Sequence, residues 1–265
     1  MEVSLEDLAQ WLVLTEEDEA EVVVDDVHIQ STEEKAGLCL VGKLLTMRHF
    51  SMDALRSTLL SVWKASKGVV FKLLGNNLFL IQFGHIVDKR RVMANGPWSF
   101  DKHLVMLKDF NGALQPSEIT FSIVEFWVHA SNLPLISMTR DVGVLLGNNL
   151  GQFVDMEYGE GGIAWGRTLR IRVAINIAKP LRRGLKLSLG GRESVWVTLQ
   201  YERLPNFCFH CGLLGHCVRD CGNRLLDGAP RVEVRMQYGP WLRADASQGR
   251  VRREFHGELM SRKKL

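Results

Sequence analysis

Hydrophobic and polar positions between residues 36 and 110 alternate in two different periods. Leu38 to Leu45 is an apolar run that reads as a strand. Ser51 fits a helix N-cap, and Leu55, Leu59, Leu60, Val62 and Trp63 recur behind it at helical spacing. Val69 to Leu74 and Leu78 to Phe83 form two more strands, joined by the hairpin signal Gly75-Asn76-Asn77. His85 to Asn95 predicts a second helix, with Ile86, Arg90 and Met93 near helical spacing, and Gly96-Pro97 ends it. His103 to Leu107 closes the series as a strand, giving the order β-α-β-β-α-β.

That order is the ferredoxin-like split βαβ pattern, which RNA-recognition modules also use. The predicted fold class is therefore α+β, with an RRM-like domain over residues 35–110. In its third strand, alternation puts Phe79, Ile81 and Phe83 on the core face. Leu78, Leu80 and Gln82 are left for the open face, with no aromatic to stack a base. The domain thus reads as a scaffold rather than a base reader. Residues 111–120 read as a linker, and 121–204 as a strand-rich segment. Its strands are predicted at 123–128, 152–157, 168–177, 185–189 and 194–201, with a short helix at 137–148. Trp98, Trp127, Trp165 and Trp196 are expected to pack between strands. No internal repeat is strong enough to rely on.

Charge divides this picture further. The formal net charge is +3, but residues 1–34 hold twelve acids and no Lys or Arg. All 33 Lys and Arg and the other 18 acids lie in residues 35–265, a net +15. Eight cations and no acid fall within residues 161–192. Arg170 and Arg172 alternate there with Leu169, Ile171 and Val173, so both share the wet face of one strand. A basic body of this kind suits an anionic partner, with Arg167, Arg170, Arg172, Arg182, Arg183 and Lys186 as candidate phosphate contacts. The acidic leader, residues 1–34, reads as a solvated segment or as a mimic of nucleic acid lying over that body. Leu5, Leu8, Trp11 and Leu12 fit one helical face in it. Residues 223–265 read as a disordered basic tail.

Four of the five cysteines lie within 14 residues, 208–221. Cys208, Cys211, His216 and Cys221 have the spacing C-x2-C-x4-H-x4-C. Three thiolates and one imidazole suit tetrahedral Zn²⁺ with every position closed by protein, which marks one structural ion rather than a catalytic one. A loop this small has no core, so the metal must hold its fold. Gly212 and Gly215 relax the backbone between the ligands, and Cys217 is read as a spare thiol.

This segment, residues 205–222, resembles the retroviral-type CCHC zinc knuckle. The resemblance implies a cleft for an unpaired base between Phe209 and the pair Cys217 and Val218, with Arg219 on phosphate. Leu213 departs from the pattern, where a lysine is common. Further upstream, Gly96-Pro97-Trp98-Ser-Phe100, Phe126-Trp127-Val128, Asn132-Leu133-Pro134, Lys179-Pro180-Leu181 and Tyr201-Glu202-Arg203-Leu204-Pro205 look like the plant "domain of unknown function 4283" family followed by its zinc knuckle. That family is similar to the nucleic-acid-binding first product of LINE-type retrotransposons. The resemblance implies a gag-like protein that binds single-stranded RNA or DNA.

No catalytic motif accompanies these features: there is no G-x-S-x-G, Walker loop or H-E-x-x-H. The expectation is a zinc-dependent nucleic-acid-binding protein, not an enzyme, with no small-molecule substrate. The alternative is a protein-interaction adaptor that docks through the knuckle and the leader helix, or self-associates. No stretch approaches the ~20 apolar residues of a membrane span, and the N-terminus lacks a secretory pattern. The expected location is intracellular. Arg252-Arg253 and Arg262-Lys263-Lys264 are too short to decide between nucleus and cytoplasm.

Overall fold

A computed structural model describes residues 32–110, 118–222 except 165 and 192, and 236–244, with scattered positions at 15–25 and 112–115. The leader helix predicted over Leu5 to Leu12, Trp165 and most of the basic tail lie outside the described residues.

The first unit contains β1 (Cys39–Leu44), α1 (Met52–Trp63), β2 (Val69–Gly75), β3 (Leu78–Phe83), α2 (Ile86–Ala94), β4 (Trp98–Phe100) and β5 (His103–Asp109). Its strands form one antiparallel sheet in the order β2-β3-β1-β5-β4. The sequence predicts each element except β4, a three-residue edge strand. Ser51 caps α1 by accepting a hydrogen bond from the Ala54 N–H at 3.3 Å. Asn76 and Asn77 both take positive φ in the β2–β3 turn, as a tight primed hairpin requires.

The α1 face of this sheet buries Leu40, Leu44, Leu55, Leu59, Trp63, Phe79, Ile81 and Phe83. Gly42 has to be small, because a Cβ there would lie 2.3 Å from the Phe79 ring. α2 differs from its predicted face: Arg90 is exposed, while Asp88, Lys89 and Val92 are buried. Asp88 accepts from the Ser66 hydroxyl at 2.7 Å and from Arg91 at 2.8 Å. Lys89 reaches the Gly37 carbonyl at 2.7 Å and Asp109 at 2.6 Å. Polar partners brought from other elements satisfy a helix face that periodicity alone assigns to solvent.

The second unit contains β6 (Ile123–Ser131), α3 (Arg140–Leu150), β7 (Gln152–Met156), β8 (Thr168–Asn176), β9 (Gly184–Leu187) and β10 (Val195–Tyr201). Its sheet is also antiparallel, in the order β7-β8-β6-β10-β9. Counted from the first strand of each unit, both sheets therefore run second, third, first, fifth, fourth. The chain carries the same strand topology twice, a repeat with no counterpart in the residue pattern. Where the first unit places α2, the second has only the connection 177–183.

The missing cover comes from elsewhere. Leu104 and Met106 of β5, with Leu204, Phe207, Leu214 and Leu242, join the core of the second sheet beside Phe126, Val128, Ile171 and Val173. The outer face of the first sheet is covered too, since Val41 and Leu78 pack under Ile119 of the predicted linker. Residues 236–244, assigned by sequence to a disordered tail, run along β10. Arg243 makes a parallel bridge with Tyr201, and Leu242 is 1% exposed.

Candidate metal centre and nucleic-acid interface

The ligand loop begins where Phe207 pairs with Leu214 as an antiparallel bridge. The Cys208 N–H donates to the Leu213 carbonyl and the Gly212 N–H to the Cys208 carbonyl, both at 2.8 Å. This tight turn needs Gly212 at φ +74°, with the Tyr238 ring packed where a side chain would go. The turn presents the first two ligands together. A 3₁₀ turn, Val218–Asp220, then returns Cys221 to the others.

Cys208, Cys211, His216 and Cys221 bring their ligand atoms within 4.8 Å of one another. Cys211 Sγ lies 3.4 Å from His216 Nε2, close to the edge of about 3.5 Å expected between sulfur and nitrogen on tetrahedral zinc. Cys208 and Cys221 are buried. Burial, with the neighbouring Cys208 and Cys221 thiols, pushes the Cys211 thiol up to about 12. A Zn²⁺ ion replaces the protons that these crowded thiols would otherwise keep. The donor set and its spacing fit one zinc ion. Bound there, zinc supplies a fourfold crosslink and no open coordination position.

The candidate base-contacting residues have unequal surroundings. Phe209 is half-buried and packs edge-on against Phe207, with ring centroids 5.0 Å apart. Val218 is half-buried and Arg219 exposed. Cys217 is a half-exposed thiol.

The basic stretch divides into two groups. Arg170 and Arg172 share one face, as alternation predicts, but neither is without counter-charge. Arg170 grips Glu202 with two nitrogens, at 2.5 and 2.9 Å, and also pairs with Glu157. Its guanidinium lies 3.8 Å from the Trp127 ring centroid. Arg172 pairs with Glu125 at 2.7 Å. His129, 1% exposed, meets Glu202 at 2.6 Å. Burial raises the Glu202 carboxyl, but the Arg170 and His129 hydrogen bonds outweigh it and hold the group at about 2. The stretch 161–192 has no acid of its own, yet strand pairing brings it Glu125 of β6, Glu157 just after β7 and Glu202 just after β10.

Arg167, Arg182, Arg183 and Lys186 are exposed, and none meets a carboxylate among the described residues. The backbone under Arg182 and Arg183 is fixed by the Tyr201 hydroxyl on the Arg182 carbonyl (2.7 Å) and by the Leu199 N–H on the Arg183 carbonyl (3.1 Å). One residue earlier, the Leu181 N–H donates to the Gly212 carbonyl at 3.0 Å. Arg183 also lies over Tyr238, the ring packed on Gly212. The exposed cations therefore stand beside the metal loop, although some 30 residues separate them in sequence. The post-knuckle run Tyr238-Gly239-Pro240-Trp241-Leu242 was the available signal, through its apolar residues in a polar tail.

Among the described residues, no helix is long and apolar enough to cross a membrane. Residues 32–118 match the family model "Domain of unknown function (DUF4283)", and residues 175–223 match the "Zinc knuckle" model. The second match begins in β8, so it takes in Lys179 to Arg183 as well as the ligands. An uncharacterized protein of Arabidopsis thaliana is 22% identical over 146 residues, covering 55% of this chain and 46% of that protein. The match thus spans just under half of that relative's length. The two matched segments fall on the first unit and on the ligand cluster: the chain carries a segment that matches the domain of unknown function 4283 and, behind a second sheet, one that matches a zinc knuckle and contains Cys208, Cys211, His216 and Cys221.

Proposed function

We propose that this protein binds single-stranded RNA or DNA through its zinc-held knuckle and the cations beside it, without catalysis, as a retrotransposon gag-like protein does. The observation that carries the reading is the Leu181–Gly212 hydrogen bond, which joins the closed Cys₃His centre to the exposed pair Arg182 and Arg183. Bases contact the knuckle, and Arg182, Arg183, Lys186, Arg167 and Arg219 neutralise phosphates. Arg170 and Arg172 contribute less, because carboxylates already hold them.

The first unit serves as a scaffold. The sequence pattern suggests an RNA-recognition module there, but the sheet face such a module would use is covered by Ile119 and by the second unit. The second sheet turns its matching face outward. Trp196, 48% exposed, lies there directly opposite Lys186.

Fluorescence anisotropy with a labelled single strand tests the reading. Affinity should fall steeply between 50 and 200 mM salt, with log K linear in log salt, because each phosphate contact releases counterions. A flat salt response, or binding that survives chelation of zinc unchanged, overturns it.

A further inference from the structure

A cleft of about 370 Å³ opens between the metal loop and the first unit. Met47 and Arg48, after β1, and His103, at the start of β5, form one wall. Asn206, His216 and Asp220 form the other. Cys217 lines it too, but neither Phe209 nor Val218 does, so it adjoins the base cleft implied by the knuckle resemblance and opens on the side of the first unit.

The two walls are held in place by the backbone. Gly215 takes φ +92° and packs against Leu45, where a Cβ would lie 2.8 Å from Leu45 Cγ. The Asn206 N–H donates to the Lys102 carbonyl at 2.7 Å, and Arg203 reaches the Asn95 carbonyl at 2.6 Å. Zinc fixes the second wall, so the cleft depends on the metal and on the first unit together.

The lining has the chemistry of a nucleotide site. Imidazole rings stack on bases, and the Met47 thioether, 85% exposed, offers a polarizable apolar surface. The Asn206 amide carries both donors and an acceptor for a base edge. Nδ1 of His103 is buried with no hydrogen-bond partner among the described residues, a polar atom that a ligand or water ordinarily satisfies. Arg48 and Asp220 pair at 3.7 Å, with side chains 69% and 44% exposed. A loose surface pair of this kind releases its arginine at little cost. The volume lies at the small end of ligand sites, enough for one nucleoside but not for a duplex or a peptide chain.

We propose that this cleft takes one unpaired nucleotide of a bound single strand. The base enters between Met47 and the two imidazoles, and its phosphate exchanges with Asp220 on Arg48. The proposal rests on the nucleic-acid reading above and adds to it the requirement for the first unit. It would make the 4283-type domain a working half of the site rather than a carrier for the knuckle.

The test uses the full, zinc-loaded chain and a ten-nucleotide mixed-sequence RNA strand. Met47→Glu and His103→Gln should each weaken binding about tenfold, the range of one lost base stack. Val87→Glu, at a 59% exposed position on α2, should change affinity less than about twofold. Thermal melts confirm that the variants fold, and the high exposure of Met47 keeps that variant readable if His103→Gln does not fold. Equal losses in Met47→Glu and Val87→Glu would reduce the effect to general charge and overturn the proposal. So would a large loss in Phe209→Ala with none in Met47→Glu, which would put the base on the knuckle alone. If the unaltered protein binds no strand, the nucleic-acid reading itself fails, and this inference with it.

Discussion

In the first unit, helices α1 and α2 lie on one face of the sheet, and Ile119 and the second unit close the other. In the second unit only α3 is present. Its sheet has the same strand order, but one face is completed by borrowed side chains and the other faces water. A shared topology therefore supports two different jobs. The sheet with two helices of its own can act as a scaffold. The sheet that borrows its cover is tied to whatever supplies it, here Phe207 and Leu214 of the knuckle and Leu242 beyond it. Zinc binding, core completion and the placement of the exposed cations become one linked event in the second unit.

The largest expected effect breaks the two units apart. Removing zinc with a chelator, or replacing Cys211 with Ser, should unfold the metal loop and take Phe207 and Leu214 away from the second sheet. Amide hydrogen exchange would then rise at least about tenfold in β6, β8 and β10, while β1 and β3 keep their protection. Equal protection in both sheets after metal loss would show that the knuckle only decorates the second unit.

A smaller change sharpens the same contrast at one side chain. Leu242→Ala removes a 1%-exposed residue from the second core and should cost about 2–5 kcal/mol. Trp241→Ala alters a 55%-exposed neighbour and should stay within about 0.5 kcal/mol. Denaturant melts of the two variants give the comparison directly.

Next is the polar network on the open face of the second sheet. Glu202 is held at about 2 in the folded chain, below its ordinary value of 4.5. A depressed carboxylate stabilises the fold fully above pH 4.5, and that stability is lost as pH falls toward 2. Glu202→Gln should therefore cost about 1–3 kcal/mol at pH 7 and flatten the acid limb of the stability profile. An acid limb identical to that of the unaltered protein would place the proton uptake on other groups.

What could be read from sequence follows from the range of each interaction. Strands β1 to β3 and β5 to β10, and helices α1 to α3, declared themselves through local periodicity, caps and turn residues. So did the metal ligands, whose spacing fits one small loop. The buried face of α2 was not legible, because Asp88 and Lys89 are satisfied by Ser66, Gly37 and Asp109 from distant elements. The pairing of Arg170 and Arg172 was hidden for the same reason. A count of charges within 161–192 cannot see acids that arrive by strand registry. The duplicated topology was invisible because it is a property of strand order, and the second copy has a loop where the first has α2. Most instructive is Leu181: its N–H bond to Gly212 moves the cations from a separate segment to the edge of the zinc loop.

The smallest effect distinguishes cations that sequence treats alike. Arg182 and Arg183 each donate to neutral oxygens, of Asn149 and Gln237, and meet no carboxylate among the described residues. If they contact phosphate, each substitution to Ala should weaken binding of any strand uniformly and reduce the slope of log K against log salt by about 1. Arg172 is held by Glu125 at 2.7 Å. Its removal takes away one cation and leaves one free anion on the same face, so affinity should still drop slightly. The salt slope should barely move, because no condensed counterion was displaced by a guanidinium already paired. Measuring all three slopes with the same oligonucleotide decides the matter. A slope change in Arg172→Ala as large as that in Arg182→Ala would mean that Glu125 yields its partner to the strand. The open face of the second sheet would then be part of the contact surface rather than a neighbour of it.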